Sequence, residues 1–507
     1  MQHKDIKRQI RKQLKMQYPL WRRLTKKEKK AIALKVLEAV TQNYDFSSPL
    51  TASKDELLGI EDQMPTAGMM TIDEMKQFIE NYEDSVLFKI SRPKGHPAIR
   101  DEELKAIDAL IDDRIVNQLL SYEGYSPSMR DLLPANFLRA ELLKAIKYPE
   151  ISYRKFCGDD KAYRGHKEAS PYIGMGNKQD RAFIGLPLNR KQMFSHIQLC
   201  QFRGSLTFTQ LVNLTVYILY QVREHGLLDQ GLVHCVDSSE LAVERQQLLA
   251  TLTIKGKKIR IYDDIDCDCG VRRKKRDKST YVVGYRMHTL TAINPETGRA
   301  IPLISLLAAA NHHDSHFLAP LIALGKAIGL DINLITADEA YHDNEGAVLA
   351  QSGVHLVTPP SSKVGLPENV DPQTLQVTLD EHCDIAMDYI GIEAQGHEFK
   401  CGADSGQCSR SGQCPQFRHI PFDNGYFQRI LHGSDAVSRA LEIRKNGERP
   451  FNLFKKREGL EQVRVRSQPG LVARTTFTTM ATLLLELAGT RKVKKVTQKQ
   501  KLLPFAA

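Results

Sequence analysis

LEIRKNGERPFNLFKK, residues 441–456, is the stretch whose reading decides the fold. Arg444, Glu448 and Lys455 punctuate it, with three residues between the first pair and six between the second. Pro450 lacks an N–H and clashes with any preceding helical turn, so it fits a first turn and nothing deeper. A helix is therefore expected to start near Glu448 or Arg449, after the Asn446–Gly447 break. Glu448 then stands at a helix N-terminus, and Lys455 falls on the same face about two turns on.

One glutamate among basic residues carries little weight alone. Two earlier apolar runs, LVHCVD and INLITAD, each end in an aspartate, at Asp237 and Asp338. Both read as short strands with an acid at the C-terminal end. The three acids are 101 and 110 residues apart (338 − 237 and 448 − 338), so only tertiary structure can join them. The expectation is that they meet and hold divalent metal. Mg²⁺ prefers carboxylate oxygen, and a single acid binds it weakly, so the chemistry needs a cluster. Two such ions polarise a phosphodiester: one activates the attacking water or 3′-hydroxyl, the other stabilises the leaving oxygen.

The pattern around these acids gives a domain plan. Residues 231–360 alternate strands with helices, which argues for an α/β core. Residues 361–435 break that rhythm with QTLQVTL, DIAMDYIGIEA and a Cys/Gly-rich loop, and read as a β-rich insertion. Helical periodicity returns over 436–490, in SDAVSRALEIRK and RTTFTTMATLLLELAG, and 491–507 is a basic tail. Residues 157–230 read as a connector and helices leading into the core. Residues 1–156 read as a basic, mainly helical region for binding DNA ends. Its first 50 residues hold 13 Lys/Arg against 4 Asp/Glu. Leu24, Ile32, Leu34, Val36 and Leu37 recur at roughly helical spacing there, and Thr25 with Glu28 fits a capping box. That helix either contacts DNA or presents a solvated face.

The whole chain has 71 Lys+Arg against 60 Asp+Glu, a net charge of +11 and a pI near 9.0, which suits a nucleic-acid or acidic-membrane partner. The apolar run IPLISLLAAA is about half the length of a membrane span. The start, QHKDIKRQIRKQLK, has charge but no apolar secretory core. Nine cysteines without a signal read as reduced thiols, which places the chain in the cytoplasm. No Ser/His/Asp or Cys/His nucleophile set stands out.

The spacing of Arg444, Glu448 and Lys455 resembles the second half of the YREK signature of DDE transposases of bacterial insertion sequences. The signature's tyrosine would fall at 441, where this chain has Leu441. ERPFNLFK is similar to the EHPFGTIK-like wording of related transposases. VDSS around Asp237, GYRMH, and TADEAYHD around Asp338 extend the resemblance over roughly residues 190–490. It implies an RNase H-like mixed sheet with flanking helices. It also implies a catalytic, metal-binding triad of Asp237, Asp338 and Glu448, with two Mg²⁺ or Mn²⁺ ions. Arg444 and Lys455 would contact DNA phosphates. The implied activity is cleavage at element ends and transfer of the 3′-hydroxyl strand to target double-stranded DNA, by a homodimer and with no membrane partner. Two alternatives are an RNase H-like nuclease that stops at cleavage and a non-catalytic, DNA-binding relic of a transposase.

Other residues compete for attention. Arg272, Arg273, Lys274, Lys275 and Arg276 form a basic loop that could touch phosphate or simply be solvated. Asp263, Asp264, Asp266 and Asp268 form an acidic run lacking the long loop and final glutamate of an EF-hand. Cys383, Cys401, Cys408 and Cys414, near His397 and His419, are dense enough for structural Zn²⁺, although not at zinc-knuckle spacing. His312, His313 and His316 could be metal ligands, but a polar strand-to-helix turn fits them better. Glu458 and Glu461 are the alternatives to Glu448.

Overall fold

The computed structural model describes residues 2–17, 21–83, 98–120, 132–157, 178–186, 195–228, 232–243, 246–273, 279–341, 347–359, 368–371, 376–380, 383, 385–393, 395–402, 408, 410, 413–422, 435–456, 460, 462–463 and 467–489. They form an α/β structure with one large mixed sheet and two small antiparallel sheets. The strands are β1 (Val233–Val243), β2 (Leu248–Ile254), β3 (Lys257–Tyr262), β4 (Asp268–Arg273), β5 (Ser279–Ile293) and β6 (Ala300–Ala309). They continue with β7 (Leu334–Ala337), β8 (His355–Val357), β9 (Met387–Glu393), β10 (Gly396–Cys401), β11 (Phe417–Pro421) and β12 (Gln462–Val463).

The first strand lies in the middle of the large sheet. β1 runs antiparallel to β5 on one side and parallel to β7 and β12 on the other, and β8 continues parallel beyond β7. The far edge of β5 takes β4 along its first part and β6 along the rest, both antiparallel. The β5–β6 hairpin closes through Asn294, whose Oδ1 accepts from the N–H groups of Glu296 (3.0 Å) and Thr297 (2.9 Å). Gly298 supplies the left-handed residue, at φ 64°, that such a turn needs.

The sheet's main core is built around the helix Gln468–Leu487, buried on almost every side. It packs on β6 and on the helices Phe208–Glu224 and Pro134–Lys147. Its threonines would be costly there if unpaired. Thr478, Thr479 and Thr482 instead donate to carbonyls four residues back, at 3.0, 3.1 and 3.0 Å. The helices from Leu58 onward join this same core, so the N-terminal region is not a separate body.

Only the first 50 or so residues build a distinct cluster. The helices Gln2–Gln17 and Lys26–Asn43 pack on the β2–β3 hairpin. Thr25 and Glu28 form the expected capping box. Ala33, Val36, Leu37 and Val40 make the buried stripe, which leaves Leu34 on the exposed side, contrary to its place in the expected apolar pattern.

The acidic run finds its role here. Lys7 pairs with Asp268, Lys15 with Asp266 at 2.6 Å and Lys29 with Asp263 at 2.6 Å. Asp264 accepts from the Ser467 N–H (3.0 Å) and Asp266 from the Gln468 N–H (3.3 Å), at the positive end of the long buried helix. The run is therefore an ion-pair and capping device joining three elements. The insertion contains the antiparallel sheet β11-β10-β9 with a small core of its own, around Val377, Met387 and Phe399. Among the described residues no helix is long and apolar enough to cross a membrane.

Candidate active site

Residues of β1 alternate between faces. Val233 and Cys235, on the same face as Asp237, pack with Ile443 and Ile293. The helix Asp435–Arg444 and the following 3-10 turn Lys445–Glu448 lie over this face. Gly447 fixes how closely. A Cβ at this position would stand 2.6 Å from Cys235 Sγ and 3.2 Å from Cys235 Cβ, so only glycine fits. The turn is thereby pinned on β1 two residues short of Asp237, and Glu448 follows directly. Helix Arg449–Lys456 begins next, with Pro450 in its first turn as expected, anchored by buried Phe451 and Phe454.

Asp237 and Asp338 come together through strand register. β1 and β7 pair in parallel as His234↔Ile335, Cys235↔Thr336 and Val236↔Ala337, and each aspartate is the next residue along. Backbone amides hold both carboxylates. Asp237 Oδ1 accepts from the Ser238 N–H (2.7 Å) and Asp338 Oδ1 from the Ala340 N–H (2.9 Å).

Burial is the main force raising the Asp237 carboxyl, to about 7, and the charges of Asp338 and Glu448 add to it. The Ser238 N–H and the Arg444 guanidinium oppose the rise. Asp338 is also raised, by burial and then by Asp314, against its backbone amide bonds and Arg444. The three predicted acids and Arg444 thus share one electrostatic neighbourhood. Arg444 Nε is buried with no hydrogen-bond partner among the described residues. Glu448 is the exposed member. The carboxylates are neighbours and not a closed cage: among the described residues no three His, Cys, Asp or Glu side chains could hold an ion as they stand. Mutual repulsion of like charges opposes closure.

Behind β1 lies a buried polar layer that the sequence pattern missed. Asp314 accepts from Ser238 Oγ (3.2 Å) and from Arg286 Nη1 (2.7 Å). Arg286 also reaches Glu240 at 3.4 Å, its partner across the β1–β5 ladder. His288 Nδ1 lies 2.9 Å from the Tyr341 hydroxyl, and its ring stacks on Phe317 with centroids 3.9 Å apart. Burial, then Arg286, drives His288 well below its ordinary range, so it is neutral. Burial, then Asp314, Asp237 and Asp338, holds Tyr341 as a protonated phenol. The visible signal for Asp314 was NHHDSH, where the histidines drew the attention. Those residues form a polar turn, with His313 capping Ser315.

The remaining candidates fall elsewhere or outside the described residues. Lys455 is half-buried near the end of its helix. Arg272 and Arg273 pair with Thr280 and Ser279, whereas Asp237 pairs with Thr289. Thr280 and Thr289 are nine residue steps apart along β5, about 30 Å of strand, so this basic pair is not at the acids. The side chains of both, and all of Lys274, Lys275 and Arg276, lie outside the described residues, as do Glu458 and Glu461. All four insertion cysteines are free thiols. Cys408 Sγ accepts from the Arg410 N–H (3.4 Å) and Cys414 Sγ donates to the Arg410 carbonyl (3.6 Å). Cys383 lies near enough to act on the Arg410 charge, and Cys401 ends β10. His397, buried, lies 3.2 Å from the Tyr389 hydroxyl, and His419 sits opposite Glu398 in the β10–β11 ladder.

No protein-family model matches the chain, and no curated protein matches it.

Proposed function

We propose that the chain is a DDE-type DNA transposase with an RNase H-like catalytic core. One observation carries the reading: Asp237, in the middle of β1 and not at its end as the sequence pattern suggested, and Asp338, directly after β7, stand side by side in matched parallel register, and Glu448 acts on Asp237 from the turn docked by Gly447. The sheet supports the RNase H-like assignment, because the first strand is central and a later neighbouring strand ends in the second acid. A helical segment after the insertion brings the third.

The donor set fits a hard divalent cation, since all three groups are carboxylates and Asp237 is held near 7 by burial and like charge. Mg²⁺ or Mn²⁺ held by Asp237, Asp338 and Glu448 would supply Lewis-acid activation of water or a 3′-hydroxyl and stabilisation of the leaving oxygen. The protein's own groups do the rest. Arg444 offsets the acids' charge, and its half-buried guanidinium would meet a DNA phosphate oxygen. Lys455 offers a second phosphate contact from the neighbouring helix. Tyr341 and His288 lock the segment after β7, and Asp314 with Arg286 braces Ser238 beside Asp237. Two copies working together would hold two DNA ends.

The test uses the purified protein, Mg²⁺ or Mn²⁺, and duplex DNA taken from the flanks of its own coding sequence. Metal-dependent nicking followed by joining of a pre-cleaved end to a target plasmid is expected. Asp237→Asn should abolish both while leaving DNA binding intact. Cleavage without joining would make the protein a nuclease. Binding without any nick would make it a relic.

A further inference from the structure

The insertion's sheet brings four cysteines to one of its ends. β10 finishes at Cys401, which pairs with Met387 at the start of β9. The Cys401 N–H donates to the Gln416 carbonyl (2.8 Å), one residue before β11 begins. Cys414 stands just before that strand, and Cys383 just before β9. Cys408 joins them through Arg410. Its Sγ accepts from the Arg410 N–H (3.4 Å), while Cys414 Sγ donates to the Arg410 carbonyl (3.6 Å). The Arg410 guanidinium donates to both carboxylate oxygens of Asp380, at 3.2 and 3.0 Å, and Asp380 accepts the Cys383 N–H on its carbonyl (3.2 Å). Arg410 therefore ties the segment of Cys383 to the segment of Cys408 and Cys414, and Cys401 is bonded to the latter through Gln416.

We propose that Cys383, Cys401, Cys408 and Cys414 form a structural four-thiolate site for Zn²⁺ that clasps this end of the sheet. The module needs such a clasp. Among the described residues its core is five buried apolar side chains, Val370, Val377, Met387, Phe399 and Ile420. Units with so small a core are held by metal or disulfides. All four thiols are free and only partly buried, so an ion can reach them. The ligand set is sulfur alone. His397 lies four residues up β10 from Cys401, about 13 Å away. His419 sits opposite Glu398, about 10 Å up the same ladder. Four thiolates select zinc over harder cations. Among the described residues no three side chains could hold an ion as they stand. A Zn–S bond of about 2.3 Å requires the sulfurs to draw within about 4 Å of one another. Little opposes that closure. Cys383 and Cys414 donate their S–H groups to carbonyls at 3.7 and 3.6 Å, and a thiol is a weak donor. The Arg410 N–H on Cys408 Sγ is the kind of bond that supports a metal thiolate, and the Arg410 guanidinium offsets the net negative charge of a four-thiolate zinc centre.

The site does not rest on the transposase reading, because its ligands are thiolates and its role is to hold the module together. The test uses the full-length protein, stripped with EDTA under reducing conditions and titrated with Co²⁺ and then Zn²⁺. Co²⁺ should give the intense visible bands of a tetrahedral thiolate site, and a single equivalent of Zn²⁺ should bleach them. This wild-type spectrum reads sulfur ligation directly, whether or not the variants fold. Cys408→Ser and Cys414→Ser should each weaken Zn²⁺ binding by more than the roughly 10–100-fold lost with a supporting group. Cys200→Ser, at an exposed cysteine on the helix His196–Ser205, should keep the full signal, as should Asp237→Asn. Removing the metal with EDTA should speed tryptic cleavage within residues 361–435. A wild-type protein without the tetrahedral Co²⁺ spectrum overturns the site, as does an undiminished spectrum in both serine variants or its loss in Asp237→Asn. Iron with acid-labile sulfide in the isolated protein, or a disulfide between any two of the four cysteines, also overturns it, because either assigns the thiols to redox chemistry.

Discussion

Gly447→Ala is the most direct probe of how the third acid reaches the site. The residue's backbone is ordinary, so the glycine is needed for space and not for conformation. An added Cβ would meet Cys235 Sγ at 2.6 Å, about 1 Å inside normal contact. The turn must then lift from β1 by about that amount, carrying Arg444 and Glu448 with it. Overpacking of this kind costs about 1–3 kcal/mol. A catalytic group displaced by about 1 Å loses about a hundredfold in rate. Urea unfolding measures the first quantity, and metal-dependent DNA cleavage measures the second. Cys235→Ala supplies the internal control, because it removes Sγ and leaves the nearest approach at 3.2 Å to Cys235 Cβ, which small shifts relieve. The double variant should recover most of both losses, with a coupling energy of about 1–2 kcal/mol. Strictly additive losses, or a fully stable and active Gly447→Ala, would refute the docking of this turn as the device that positions Glu448.

Other consequences follow from the same structure. In metal-free protein the Asp237 carboxyl sits near 7, against roughly 3.9 unfolded, so the folded state binds the extra proton. Stability should therefore be fullest below about pH 4 for this group and fall as pH rises through 7, by at most about 4 kcal/mol. Asp237→Asn should flatten that part of the urea-midpoint profile in EDTA, and a profile identical to wild type would remove the buried acid as its cause. Added Mg²⁺ should raise the unfolding midpoint above pH 7 in wild type and leave Asp237→Asn unmoved, as a thermal-shift titration can read. Asp264→Ala strips the Ser467 amide and the Tyr285 hydroxyl (2.9 Å) of their acceptor, costing about 2–3 kcal/mol. Tyr285→Phe in that background should restore part of the loss in chemical denaturation. Glu141 is fully buried, with Arg203 Nη1 at 2.5 Å, the Tyr153 hydroxyl at 2.7 Å and Arg474 Nη1 at 4.0 Å. Glu141→Ala leaves Arg203 in the core without its carboxylate and should destabilise by about 3–5 kcal/mol, and a loss under 1 kcal/mol would show that the cluster is solvated.

The fold was legible wherever a segment's own periodicity matched its final environment. β5 and β6 are the clearest of the strands expected in 231–360, because β-branched and apolar residues fill both and the turn sequence Glu296–Arg299 separates them. The Gly447 break and Pro450 placed the last short helix to within a residue. What the pattern could not give was partnership at long range. The basic start looked like a free DNA-facing surface, yet Lys7, Lys15 and Lys29 are tied to an acidic run more than 200 residues away. Neither segment alone carries a sign of the other, since a charge run reads the same whether its counterion is water, nucleic acid or protein.

The candidate site divides along the same line. Asp237 and Asp338 are visible because each closes an apolar run, although β1 itself continues six residues past Asp237 with alternating buried and exposed positions, and the parallel register aligns the two acids. Glu448 is visible through its helix start. Asp314 was hidden because a carboxylate in a histidine-rich turn announces nothing about where that turn lands. It lands behind β1, where Arg286 neutralises it, and its charge still raises Asp338. A fourth carboxylate so placed is a poor metal ligand, since its oxygens already accept from Arg286 and Ser238. On the proposed metal-dependent reading, its effect would be to keep Asp338 short of stabilising charge until a cation arrives, so the supporting layer as well as the three proposed ligands would set the demand for metal.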